Sequence, residues 1–328
     1  MLGRPAQPVT RTPRRPPGSV RRSSHVDMSW PDGVSGDSAA TVVLDAVARD
    51  VVTALDGTGH VVAEAGLVTT VAPGRTVTGV QVQPASVDLG ELVGLTAARG
   101  WRAATRRLVP EGLESPLGLL LDEVPIAVLL SFYAALRSGN LSGTLNPRAA
   151  AFMRDLCSGW ASDATPMRAI DAGGGVPLPD LVPVPRDDED DPLASEPRPS
   201  LQPGRLRRSR RIDVVPGDVL RVDATFRDSW SDPVDGEGVL HEYVLTADVH
   251  PDGTLLSVVA EPRVLPYGEC PRAAASPQLL VGKHVGTAAD ALPSDLAGAA
   301  SCTHLNDLLR TLACVPGLAE RAGDEATH

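Results

Sequence analysis

"VAPGRTVTGVQVQP", residues 71–84, returns 178 positions later as "VHPDGTLLSVVAEP", residues 249–262. The same offset carries "DAVARD" (45–50) onto "DATFRD" (223–228), and 45–84 laid over 223–262 without a gap gives 12 identities in 40 positions. That is several times what unrelated segments share. Two more echoes flank the match: "RRSSHVD" (21–27) with "RRSRRID" (207–213), and "ELVGL" (91–95) with "LLVGK" (279–283). An ungapped inner match, with outer echoes in the same order, points to a chain built twice over, so the fold is read copy by copy.

In the second copy "VLRVDATFRD" alternates apolar and polar residues as a strand does. "LHEYVLTADV" and "TLLSVVAEPRV" then flank a His-Pro-Asp-Gly turn as a hairpin. "ECPRAAASPQLLVGK" reads as a helix opened by Pro271. "THLNDLLRTLACV" reads as a helix with Leu305, Leu308, Leu309 and Leu312 on one stripe, ended by Pro316-Gly317. The first copy repeats this order, with strands through 41–84, a helix near 88–107, an apolar helix in 116–137 and another in 138–170. Antiparallel strands followed by helices make the fold α+β, a tandem duplication in which each copy is an antiparallel sheet with helices packed on one face. The expected boundaries are a disordered basic, Pro-rich tail at 1–20, a first copy at 21–170, a disordered acidic linker at 171–206, a second copy at 207–316 and a disordered tail at 317–328.

Composition narrows the function. The 328 residues carry a net charge of −11, which argues against a nucleic-acid partner, because phosphate binding needs a basic surface. Six arginines fall in the first 22 residues and a solid acidic block, "DDEDD", at 187–191; both read as solvated chain. Aromatic residues make up only 3%, so the cores are expected to be aliphatic. The run "PLGLLLDEVPIAVLLSFYAAL" (116–136) is broken by Asp122, Glu123 and Pro125, so no membrane span is expected. With no secretory signal and too few cysteines for a disulfide framework, the expected location is cytoplasmic.

Comparing the copies separates scaffold from chemistry. Arg49-Asp50 and Arg227-Asp228 occur in both, as do Glu64 and Glu242, and are read as structural ion pairs. The second copy alone gains metal-ligand residue types. His241 falls opposite Ala63, the ten-residue insertion "RVLPYGECPR" brings Cys270, and Cys302 falls near Ser115-Pro116. Cys302 stands just ahead of a helix, where free N–H groups and the macrodipole favour a thiolate. His304 follows two residues on. Cys157 and Cys314 read as core, and His250 and His284 as exposed.

From "RRSxxxD" through "HEY", "LPYGECP" and "CTHLNDLLRTLA" the chain resembles a bacterial, mainly actinobacterial, family of unknown function, with "CTHL" as its most distinctive word. The second copy is also remotely similar in order to the iron–sulfur cluster scaffold family (NifU/IscU-like). That resemblance implies His241 at the place of the first ligand cysteine, Cys270 at the second and Cys302 at the third. Tyr243 takes the place of that family's aspartate, with Glu242 adjacent as a substitute.

The leading reading is therefore a cytoplasmic protein that binds zinc or iron through His241, Cys270 and Cys302, with Glu242 or His304 filling or supporting the fourth position. The first copy would be a metal-free partner. Two alternatives stand beside it: a non-enzymatic accessory or assembly protein with structural cysteines and tails that contact a protein partner, or an acyl-transfer enzyme or hydrolase with Cys302 as nucleophile. Whether the protein is an enzyme, and its oligomeric state, stay open at this point. No phosphate loop, H-E-x-x-H, G-x-S-x-G or dinucleotide fingerprint is present.

Overall fold

The word shared by the two halves lies at the centre of the molecule. Strand β1 (Ser19–Ser29) pairs antiparallel with β6 (Leu206–Val215), Arg21 opposite Asp213 and Asp27 opposite Arg207. Antiparallel pairing of R-R-S-x-x-x-D with its own copy sets each first arginine against the other's last aspartate. Arg21 Nε donates to Asp213 at 2.6 Å and Arg207 Nε to Asp27 at 2.6 Å, a reciprocal pair about a local two-fold axis. The computed structural model describes every residue except 1–2, 32–34, 37–38, 86, 140–144, 186–190, 288, 291–295 and 326–328. Most of the acidic block lies outside the described residues.

From this seam the sheet grows the same way on both sides. Outward on one side lie β2 (Val42–Thr53), β3 (Gly59–Ala72) and β4 (Thr76–Gln83). On the other lie β7 (Leu220–Asp232), β8 (Gly236–Val249) and β9 (Leu255–Val264), and the two-residue β5 (Val182–Pro183) also pairs with β8. All pairings are antiparallel. Two separate sheets were expected, one per copy. The structure has one continuous nine-stranded sheet, because β1 and β6 hydrogen-bond to each other and leave neither as an edge.

Helices cover one face. They are α1 (Trp101–Leu108), α2 (Pro116–Arg137), α3 (Pro147–Met153), α4 (Thr165–Asp171), α5 (Thr303–Arg310) and α6 (Val315–Glu325). The helix expected near 88–107 is confined to α1, because Gly94 and Gly100 take left-handed φ of 91° and 87° and break the path. The helix expected from Pro271 is a 3-10 run over Cys270–Leu280, with Pro277 inside it. Pro316 does not stop the last helix. It sits in the first turn of a new one, where its missing N–H costs nothing, and residues 317–325 are helical. Helix α2 is long and apolar enough to cross a membrane, yet 67% of its apolar window is buried here. Its two acids turn inward, Asp122 to Arg102 and Arg310 and Glu123 to Arg208 and Arg210.

The other face is covered by extended chain. Among the described residues of 1–20 and 171–206, Val9 N–H donates to Glu242 at 3.0 Å, Arg15 meets Asp191 at 2.9 Å and Glu196 accepts from His25 at 2.9 Å. Ala194, Glu196 and Leu201 are buried. Low apolar content made these segments read as disordered. Their order comes instead from hydrogen bonds to charged side chains on the sheet, such as Arg21 donating to the carbonyls of Pro13 and Ala194.

Candidate metal centre

Asp228 on β7 and His241 on β8 face each other directly across the hairpin, and a bulge follows at Asp228/Ser229. In the first half Asp50 faces Ala63, with the same bulge at Asp50/Val51. The backbone context is shared; only the second half adds an imidazole. Adjacent strand residues point to opposite faces, so His241 and Asp228 lie under the helices while Arg227 and Glu242 pair on the far side at 3.2 Å. The shared Arg-Asp words are thus not ion pairs within themselves. Asp228 pairs with Arg208 and Asp50 with Arg22, at 2.8 and 2.6 Å.

Helix α5 completes the group. His304, in its first turn, stacks on His241 with ring centroids 4.0 Å apart and planes at 19°. His241 Nδ1 lies 3.3 Å and His304 Nε2 3.9 Å from the same oxygen, Asp228 Oδ2. Both nitrogens are buried and neither has a hydrogen-bond partner. Among the described residues these three form the one group of metal-ligand type whose donor atoms all lie within 4.8 Å of one another. Burial, then the neighbouring His241, then Arg208 hold His304 well below the usual histidine range, so its ring stays neutral and keeps a free lone pair.

The first half shows what Asp228 lacks. Arg22 holds Asp50 bidentately, and Arg321 of α6 adds a second guanidinium to Asp50 Oδ2. Asp228 Oδ2 has Arg208 at 3.1 Å, but where the second cation sits in the first half it has the imidazoles of His241 and His304. Arg208 is itself committed, reaching Glu123 at 2.8 Å and Asp307 at 3.1 Å and lying 4.6 Å over the Phe226 ring. Arg210, Arg102 and Arg310 continue this buried network to Asp307 and Asp122.

Of the residues singled out from the sequence, His241, His304, Cys270 and Cys302 line one pocket, together with Cys157, which read as core. Glu242 does not. It is on the opposite face, bonded to Arg227 and the Val9 amide. The two thiols also stand outside the tight donor group, so the His/Cys/Cys triad expected there is replaced at its centre by Asp/His/His. Cys302 is the N-cap of α5, as expected, but its burial outweighs the helix terminus. The thiol is pushed up to about 12, Cys270 well above the usual range, and Cys157 up as well, burial coming first in each case. A protonated Cys302 is a poor nucleophile at neutral pH. Asp228 was missed because its occurrence in both halves marked it as scaffold.

Residues 206–316 match the profile of a family described as a protein of unknown function (DUF2889). No curated protein and no solved structure gives a match to the chain.

Proposed function

We propose that the protein binds one transition-metal ion, zinc or iron, through Asp228, His241 and His304, the remaining coordination positions facing the pocket lined by Cys270 and Cys302. The observation that carries this is the pair of buried imidazole nitrogens without partners, both beside one carboxylate oxygen. Bonds of about 2.0–2.1 Å at tetrahedral angles put donor atoms about 3.3 Å apart. Of the three separations, His241 to Asp228 already has that value, His304 to Asp228 exceeds it by 0.6 Å, and all lie within 4.8 Å. Stacked rings hold their lone pairs side by side, so loading turns one ring out of the stack. Arg208 shares the charge of Asp228, which favours weaker binding than a closed thiolate site.

His241, Cys270 and Cys302 reach the pocket in the order in which the iron–sulfur scaffold family places its ligands, and iron therefore stands beside zinc. Four unpaired cysteines suit a reducing compartment, and we place the protein in the cytoplasm on that ground. The two-fold seam supports reading residues 21–170 and 207–316 as duplicated copies, the first without metal. Cobalt(II) titration of chelator-treated protein tests the ligand set. Visible d–d bands that saturate near one equivalent and vanish in His304→Ala support it. Bands unchanged in His304→Ala, or none in the intact protein, would overturn it. Thiolate-to-cobalt charge transfer lost in Cys302→Ser would restore the cysteines as ligands.

A further inference from the structure

The chain has ten aromatic residues, and four of them, Phe132, Tyr133, Trp160 and Tyr267, line the pocket above His241 and His304. Everywhere else the cores are built mainly from Val, Leu and Ala. The four rings form an edge-to-face chain. Phe132 meets Tyr133 at 5.8 Å and 81°, and Trp160 at 5.6 Å and 71°; Trp160 meets Tyr267 at 6.5 Å and 82°. Tyr133 also stands edge-on to His241 at 4.8 Å. The pocket between them is narrow, about 40 Å³ of free space, so a ring enters it only as half-buried lining side chains such as Leu129 and Met153 give way. No Asp, Glu, Lys or Arg lines it, although those types make up 22% of the chain.

We infer that this pocket binds a small aromatic molecule with an uncharged body, whose single donor group reaches the floor formed by His241 and His304. The inference deepens the metal reading and rests on it for the donor group only. A charged body would be buried without a counter-ion, which the lining cannot supply. Offset and edge-on ring contacts favour an aryl over an alkyl group of equal area. The lining includes Leu129 and Met153, both half-buried and neither part of the donor group.

Equilibrium dialysis separates the two readings. p-Cresol, which needs no metal, is offered to chelator-treated protein with 4-methylcyclohexanol as the alkyl control. 4-Phenylimidazole is then offered to the chelator-treated and the zinc-loaded protein. The pocket predicts saturable p-cresol binding at least tenfold tighter than 4-methylcyclohexanol, lost in both Leu129→Trp and Met153→Trp at unchanged circular dichroism. Equal affinity for the two alcohols, or binding kept in both variants, would overturn it. Zinc should tighten 4-phenylimidazole binding tenfold or more. If p-cresol binds as expected while zinc has no effect, the metal reading fails and the aromatic pocket stands.

Discussion

Replacing Arg208 with Met removes one charge from the most buried part of the molecule while keeping most of the side-chain stem. Arg208 is 1% exposed and touches three carboxylates, Asp228, Glu123 and Asp307. Glu123 and Asp307 keep Arg210, but Asp228 loses the one guanidinium bonded to it. Met fills the space over Phe226, so the loss is mainly electrostatic. Leaving a buried carboxylate uncompensated costs about 3–5 kcal/mol. At roughly 2 °C per kcal/mol for a chain of this size, the midpoint of thermal unfolding falls by about 6–10 °C. Differential scanning calorimetry at pH 7.5 with chelator present measures this, with Arg106→Met as the exposed control. The Arg106–Asp290 pair is about half exposed, and its loss should cost less than about 1 kcal/mol. The double variant Arg208→Met/Asp228→Asn should recover at least half of the loss, because the orphaned charge goes with its partner. A single variant as stable as the parent, or a double variant no better than the single, would refute the reasoning.

Three other outcomes follow from the same structure. Burial pushes Glu196 up, but His25, Arg198 and Ser23 outweigh it and hold the carboxyl below its usual range. Its contribution is therefore present above about pH 4.5 and lost as pH falls through the lower folded value; urea midpoints of Glu196→Gln should vary less between pH 4.5 and 3 than those of the parent. All four cysteines are buried and unpaired, so a thiol reagent at pH 7.5 should label fewer than one per native chain within minutes and four in guanidinium; rapid labelling of Cys302 in the native protein contradicts its burial. A Cβ at Gly159 would lie 2.6 Å from Cys270 Sγ, so Gly159→Ala should cost about 1–3 kcal/mol by chemical denaturation. A neutral effect would mean the Cys270 side chain has room to move.

The sheet was legible because its evidence is written twice. Alternation and the Pro-Asp-Gly turn gave β8 and β9, and the repeated offset assigned the same strands to the first half. What could not be read was that the two copies fuse at β1 and β6, although antiparallel self-pairing of R-R-S-x-x-x-D matches each arginine to an aspartate. The extended chain within 1–20 and 171–206 packs through hydrogen bonds to buried arginines, which leave no apolar pattern in the sequence. At the site, comparison of the halves found His241, Cys270 and Cys302 and missed Asp228. Hairpin arithmetic from the turn at 233–235 sets Leu240 opposite Asp228; the one-residue register shift at Asp228/Ser229 brings His241 there instead, and alternation alone does not announce that bulge. Glu242 failed by the period-two rule, since a neighbour on a strand faces away. His304 entered as a supporting residue and stands at the centre, because the stack on His241 depends on where α5 docks.

In the function we propose, Asp228 Oδ2 and two imidazoles hold a cation where the first half holds Arg321. Elemental analysis by inductively coupled plasma mass spectrometry tests it most directly, on protein purified without chelator, reloaded with zinc or iron(II) and desalted. The parent and Asp50→Asn should carry about one ion per chain, and His304→Ala and folded Asp228→Asn less than a tenth of that. No ion in the parent, or equal metal in all four proteins, would contradict it.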